Sequence, residues 1–160
     1  MYALLVILAV SIIVISACCL IAYEIMRIVW ARLPRMTIPA RLRVLALIGP
    51  IFLIHIVCIW VYAITFFLIE NFSDIGAVSG IGHTVSLTYE SFLDCLYFSS
   101  STYTSLGFGD LTPTHELRML AAAEVLNGMV LIAWTASFTY LAMEKFWHIN
   151  HTHQEHRKHD

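Results

Sequence analysis

The sequence predicts an all-α membrane protein, with three helices that cross the bilayer and a re-entrant helix and loop between the second and the third. Composition is the first of three observations behind this. Of the 160 residues, 59% are hydrophobic and 12% charged, whereas soluble domains are about half apolar and roughly a quarter charged. Three runs come second: Tyr2 to Tyr23, Val44 to Ile69 and Met119 to Met143 carry a single formal charge among them, Glu124. The third is a half-length segment, Phe92 to Tyr103, which runs directly into Thr104-Ser105-Leu106-Gly107-Phe108-Gly109-Asp110.

A spanning helix needs about 20 apolar residues to cross a hydrocarbon core of about 30 Å, and all three runs satisfy that. The first has no basic start and continues to Tyr23, so it reads as a membrane span and not as a cleaved signal. Arg27, Arg32, Arg35, Arg41 and Arg43 lie between the first two runs, and Lys145, Arg157 and Lys158 follow the third. Cytoplasmic loops are enriched in such residues, which places both clusters inside and the N-terminus outside. The stretch from Glu70 to Leu117 is then external, and it carries Glu70, Asp74, Glu90, Asp94, Asp110 and Glu116. An acidic outer mouth favours cations. With a formal net charge of -2, the chain offers no basic surface for nucleic acid.

Pro34 and Pro39 break the helix in the basic loop, and Ser73 to Gly82, with three glycines, reads as an exposed flexible turret. Ser91 with Asp94 fits a capping box, opening a helix of about 18 Å from Phe92 to Tyr103. That crosses half a membrane. A half-helix followed by non-helical backbone at depth survives only where protein or water surrounds it, which is the pattern of a re-entrant pore loop. A dehydrated cation needs a ring of oxygens in place of its water. Gly107 and Gly109 can take left-handed backbone, letting the carbonyls of Ser105, Leu106, Gly107 and Phe108 stack along one axis. The Ser105 hydroxyl adds an inner ring, and the C-terminal end of the half-helix directs its negative dipole at the waiting ion.

Thr102-Tyr103-Thr104-Ser105-Leu106-Gly107-Phe108-Gly109-Asp110, followed by Pro113, resembles the pore-loop signature of the potassium channel superfamily. The resemblance extends over about Trp60 to Met143 and, with the extra first span, is similar to small bacterial potassium channels that carry an additional N-terminal helix. It implies K+ as the permeant ion, with no other cofactor, and a selectivity filter over Thr104 to Asp110 supported by Tyr97, Ser101, Thr102 and Glu124. It also implies that the Tyr97 hydroxyl meets Asp110 behind the filter, and that Ser101 stands where some members have a glutamate. Ser105, Leu106 and Phe108 replace the usual threonine, valine and tyrosine, so the filter loses one bracing hydroxyl. One loop supplies a quarter of a filter; a homotetramer follows.

On this reading the chain divides into an N-terminal transmembrane helix (1–30), a basic cytoplasmic loop (31–43), a pore domain (44–144) and a histidine-rich cytoplasmic tail (145–160). Gly128 is either a gate hinge, as the resemblance implies, or a point of close helix packing. Glu124 either hydrogen-bonds behind the filter or pairs with Arg118, and His55 is read as an interhelical hydrogen-bonding residue. Cys18, Cys19, Cys58 and Cys95 lack metal-ligand spacing and are small packing residues. Anionic lipid head groups are expected partners for the Arg32 to Arg43 loop. The tail histidines, His148, His151, His153, His156 and His159, allow metal binding, proton sensing or plain solvation.

No run carries the arginine ladder of a voltage sensor. The expectation is a potassium-selective, leak-like or filter-gated channel in a plasma or bacterial inner membrane. The rivals are a weakly selective cation channel and a non-conducting accessory subunit. An enzyme is not expected, since nothing near His55 or Glu124 completes a catalytic set.

Overall fold

The computed structural model describes residues 1–33, 40–80 and 82–156. Helix α1 spans Tyr2–Arg32, α2 Ala40–Phe72, α3 Tyr89–Tyr103 and α4 Leu117–His156, while strands β1 (Val78–Gly80) and β2 (Leu111–Pro113) form an antiparallel pair. Three of the helices contain stretches long and apolar enough to cross a membrane: Tyr2–Arg32, Ala46–Phe72 and Leu117–Lys145. The protein is thus an all-α, multi-pass membrane protein with one short ribbon. The helix-breaking prolines, Pro34 and Pro39, lie outside the described residues, as does His159; so do the side chains of the other tail histidines.

Lipid is as apolar as leucine, so spans associate through close packing and polar contacts and not through hydrophobic exclusion. Helix α1 buries a single stripe, Ile7, Ser11, Val14, Cys18, Ala22 and Met26, at the spacing of one helix face. Its small members let α1 approach closely, and the stripe packs against both α2 and α4. The Ser11 hydroxyl is satisfied within α1 by the Ile7 carbonyl at 2.8 Å. At the C-terminal end of α1, Trp30 tilts against Phe138 at 5.7 Å and the Lys145 ammonium sits 4.4 Å from the Trp30 ring centre. Both contacts tie the end of α1 to α4.

Polar side chains join the spans at depth. His55 of α2 places Nδ1 3.0 Å from the Tyr103 hydroxyl at the end of α3, and Nε2 3.1 Å from Thr135 Oγ1 of α4. His55 is therefore the interhelical residue expected of it. Asn127 of α4 donates to the Tyr62 hydroxyl at 3.2 Å. The half-helix α3 lies on α2 through aromatic contacts: Phe66 with Phe98 at 5.1 Å, Phe67 with Phe92 at 5.6 Å and Trp60 with Phe92 at 5.7 Å. Such pairs add about 0.5–1.5 kcal/mol each beyond simple burial.

Two local expectations are corrected. The cap of α3 is Thr88, whose side chain accepts from the Ser91 amide, so the helix begins at Tyr89 and not at Phe92. Ser91 is unavailable as a cap because its hydroxyl donates to Glu70 Oε1 at 3.0 Å. The turret is not a wholly exposed loop. Val78 is buried, its amide donates to Glu70 Oε2 at 3.3 Å, and β1 pairs Val78 with Pro113, Ser79 with Thr112 and Gly80 with Leu111. The turret is thereby bonded to the strand that follows Asp110.

Candidate functional site

Helix α3 ends at Tyr103, and the chain then folds back on the last turn. The amides of Leu106 and Gly107 both donate to the Ser101 carbonyl, at 2.9 and 3.1 Å, and the Ser105 amide donates to the Thr102 carbonyl at 2.9 Å. The Thr104 hydroxyl donates to the Ser100 carbonyl at 2.8 Å. Ser101 and Thr102 thus act through their carbonyls, while the Ser101 hydroxyl turns back to the Phe98 carbonyl at 2.9 Å. Those bonds satisfy the α3 terminus and fix where the next stretch begins.

From there the backbone alternates in hand. Ser105, Gly107 and Gly109 have φ of 60°, 55° and 83°, whereas Leu106 and Phe108 between them have negative φ. An ordinary strand sends successive carbonyls to opposite sides, while alternation of left- and right-handed residues turns them to one side. Glycine accepts the left-handed state without penalty. Ser105 does not, and its conformation costs of order 1–3 kcal/mol. The sequence reading assigned left-handed backbone to the two glycines only, so Ser105 is an addition.

Residues 104–110 are all exposed in the single chain, including Leu106 at 59% and Phe108 at 64%. Behind them stands Tyr97. Its hydroxyl donates to Asp110 Oδ2 at 2.9 Å, and its ring stacks parallel to Phe108 at 6.3 Å. The hydrogen bond to the Asp110 carboxylate raises the Tyr97 pKa above the ordinary tyrosine value, keeping the hydroxyl available as a donor. One side chain therefore holds both the ring inside the stretch and the carboxylate that ends it. Tyr97→Phe removes this charge-assisted bond and leaves the ring stacking in place. In reconstituted protein the variant is expected to conduct at first and then lose current faster than wild type; a wild-type time course would show that Tyr97 braces nothing.

Glu124 lies on α4 behind α3, fully buried, with Oε1 2.6 Å from the Ser99 hydroxyl. That hydroxyl is also 2.9 Å from the Ile59 carbonyl, so one serine joins α2, α3 and α4. The pairing of Glu124 with Arg118 is corrected. Arg118 is exposed, and its Nε donates to the Pro113 carbonyl at 3.2 Å, because the helix carries the two side chains to different levels. Gly128 faces the end of α3: a Cβ there would overlap the Tyr103 carbonyl oxygen and lie 3.2 Å from the Tyr103 ring. Close packing thus accounts for the glycine, and α4 continues through it as helix.

One cluster had no counterpart in the sequence reading. His83, just after the turret, lies between Glu70 near the C-terminal end of α2 and Asp94 on α3. A histidine in a loop otherwise free of basic residues was the available signal. Cys95 in the same cluster, with its thiol 3.2 Å from Glu70 Oε1, has a pKa raised by burial and by the Glu70 carboxylate, so it remains a thiol. Among the described residues no group of three His, Cys, Asp or Glu side chains is arranged to hold a metal ion.

Comparison with known proteins gives one finding. The family described as an ion channel matches residues 54–145, a stretch that takes in most of α2, all of α3, the 104–110 stretch and α4 to Lys145, and omits α1. No curated protein and no solved structure matches the chain.

Proposed function

The chain belongs to this ion-channel family, and on that premise we propose that four copies form a potassium-selective pore. The carbonyls of Ser105, Leu106, Gly107 and Phe108 take the place of the ion's water. The observation that carries this reading is the alternation of backbone hand at Ser105, Gly107 and Gly109 within a stretch that is exposed throughout. Irregular backbone at membrane depth is tolerated only against protein or a water-filled cavity. Three further copies supply that enclosure and bring four sets of carbonyls to one axis.

In this assembly α4 lines the inner cavity, since its exposed apolar face, with Leu126, Met129 and Val130, lies on the side of the chain left open by α1 and α2. Helix α1 sits outside, against α2 and α4 of its own chain. The basic segment after α1 and the C-terminal tail face the cytoplasm, the turret faces outward, and anionic head groups meet the Arg32 to Arg43 loop. Conduction is passive. With no arginine ladder in any span, steep voltage dependence is not expected, and control falls to the filter.

A weakly selective cation pore is the second reading, favoured by one observation: Phe108 has no hydroxyl with which to brace the filter. The test is potassium efflux from liposomes containing the purified protein, with and without barium, a divalent ion close to potassium in size. Barium-sensitive efflux is expected from the tetramer. Absence of any efflux from confirmed tetramers sinks the proposal in favour of an accessory subunit.

A further inference from the structure

We propose that His83 is a proton-binding site on the outer face, and that its protonation ties the turret and α2 to the pore helix α3 and so sustains conduction. The site rests on geometry. The regulatory part rests on the potassium-channel reading above.

The His83 side chain is 1% exposed, with Nδ1 2.8 Å from Asp94 Oδ2 and Nε2 3.4 Å from Glu70 Oε2. Nε2 is buried and has no hydrogen-bond partner among the described residues. A neutral imidazole carries one N–H, so either tautomer turns a bare lone pair on a carboxylate oxygen. With the proton on Nδ1, the lone pair of Nε2 faces Glu70; with it on Nε2, the lone pair of Nδ1 faces Asp94 at 2.8 Å. Only the imidazolium offers a donor to both.

Among the described residues no other cation stands in for it. The outer stretch from Glu70 to Leu117 contains no lysine or arginine, and the nearby Arg118 is bonded to the Pro113 carbonyl. Facing the imidazole, among the described residues, are Glu70 from α2 and Asp94 from α3, with the Cys95 thiol of α3 meeting it through Glu70. Glu70 keeps three further donors when the proton leaves: the Val78 amide, the Ser91 hydroxyl and the Cys95 thiol. Asp94 has no other among the described residues, and its side chain is 41% exposed, which gives protons a path to the buried ring. Loss of the proton therefore frees the imidazole from one carboxylate without unfolding the cluster.

Two routes carry the change to the filter. Asp94 lies one turn before Tyr97, which holds Asp110. Glu70 holds the Val78 amide, and Val78 pairs with Pro113 in the strand after Asp110. Histidine is the side chain whose charge changes between pH 5 and 8, so outer acid favours the tied state and outer alkali the released one.

The test uses full-length tetramers in two measurements. The first follows imidazole Cε1 resonances by NMR across pH 5–9, with the His83 signal identified by its absence in His83→Gln. The second follows potassium flux in liposomes of known orientation while the outer pH alone is varied. Wild-type flux is expected to fall about tenfold from acid to alkaline outer pH, the population change that one lost charge-assisted bond produces. His83→Gln is expected to conduct without that dependence. Asp94→Asn, at a half-exposed position, is expected to move the response towards more acid pH. A His83 resonance that does not titrate, or a wild-type pH response that persists in His83→Gln, overturns the proposal. Flux absent at every pH while the His83 resonance titrates instead overturns potassium conduction and leaves the proton site standing.

Discussion

Replacing Gly107 with alanine is expected to abolish potassium flux while leaving the proposed tetramer assembled. A Cβ at this position meets nothing within 4 Å, so the effect is not steric crowding within the chain. It comes from φ of 55°, which costs an L-residue roughly 1–2 kcal/mol. In the proposed tetramer four chains bear that cost around one axis, so the ring loses about 4–8 kcal/mol if every copy keeps its geometry. An alanine that sheds this cost by moving to the right-handed region turns its carbonyl away from the axis. One complete ring of ion ligands then disappears. The spans are untouched, so helicity and oligomeric size should match wild type while flux falls by at least tenfold. Unchanged flux would mean that this carbonyl does not meet the ion.

Gly128→Ala is expected to lower the stability of the proposed tetramer as well as its conductance. The added methyl overlaps the Tyr103 carbonyl oxygen and lies 3.2 Å from the Tyr103 ring. Neither neighbour can yield easily. The carbonyl is backbone at the end of α3, and the ring is buried with its hydroxyl 3.0 Å from His55 Nδ1. Overpacking of this kind costs about 1–3 kcal/mol per chain, and the displaced residue stands two positions before Ser105. Thermal unfolding of the tetramer separates this account from a hinge. A hinge glycine replaced by alanine would alter gating at unchanged or higher stability, because alanine favours helix; a packing glycine lowers both.

The spans were legible because a bilayer leaves little choice: an apolar run of that length with at most one charge has few other solutions. The 104–110 stretch was legible through its two alternating glycines. Contacts between distant residues were not. Ser91 and Asp94 have the spacing of a capping box, yet the Ser91 hydroxyl is engaged by Glu70, 21 residues earlier, and Thr88 caps in its place. Strands β1 and β2 have three residues each, too short for alternation to register, and they pair across the whole of α3. Sequence spacing leaves Glu124 open to a bond behind the filter or to a pairing with Arg118, and the fold takes the first by burying the glutamate beside Ser99. His83 acquires meaning only when α2 and α3 bring two carboxylates to it. Ser105 in left-handed backbone also had no local signal, since serine is not a residue that asks for it.

The reversal potential of the reconstituted channel, with potassium on one side and sodium on the other, bears most directly on the carbonyl filter. Current that reverses close to the potassium equilibrium potential, and is lost in Gly107→Ala, is the expected result. Reversal near zero would contradict it, because a ring of Ser105, Leu106, Gly107 and Phe108 carbonyls that passes both ions equally is not selecting by replacement of the hydration shell.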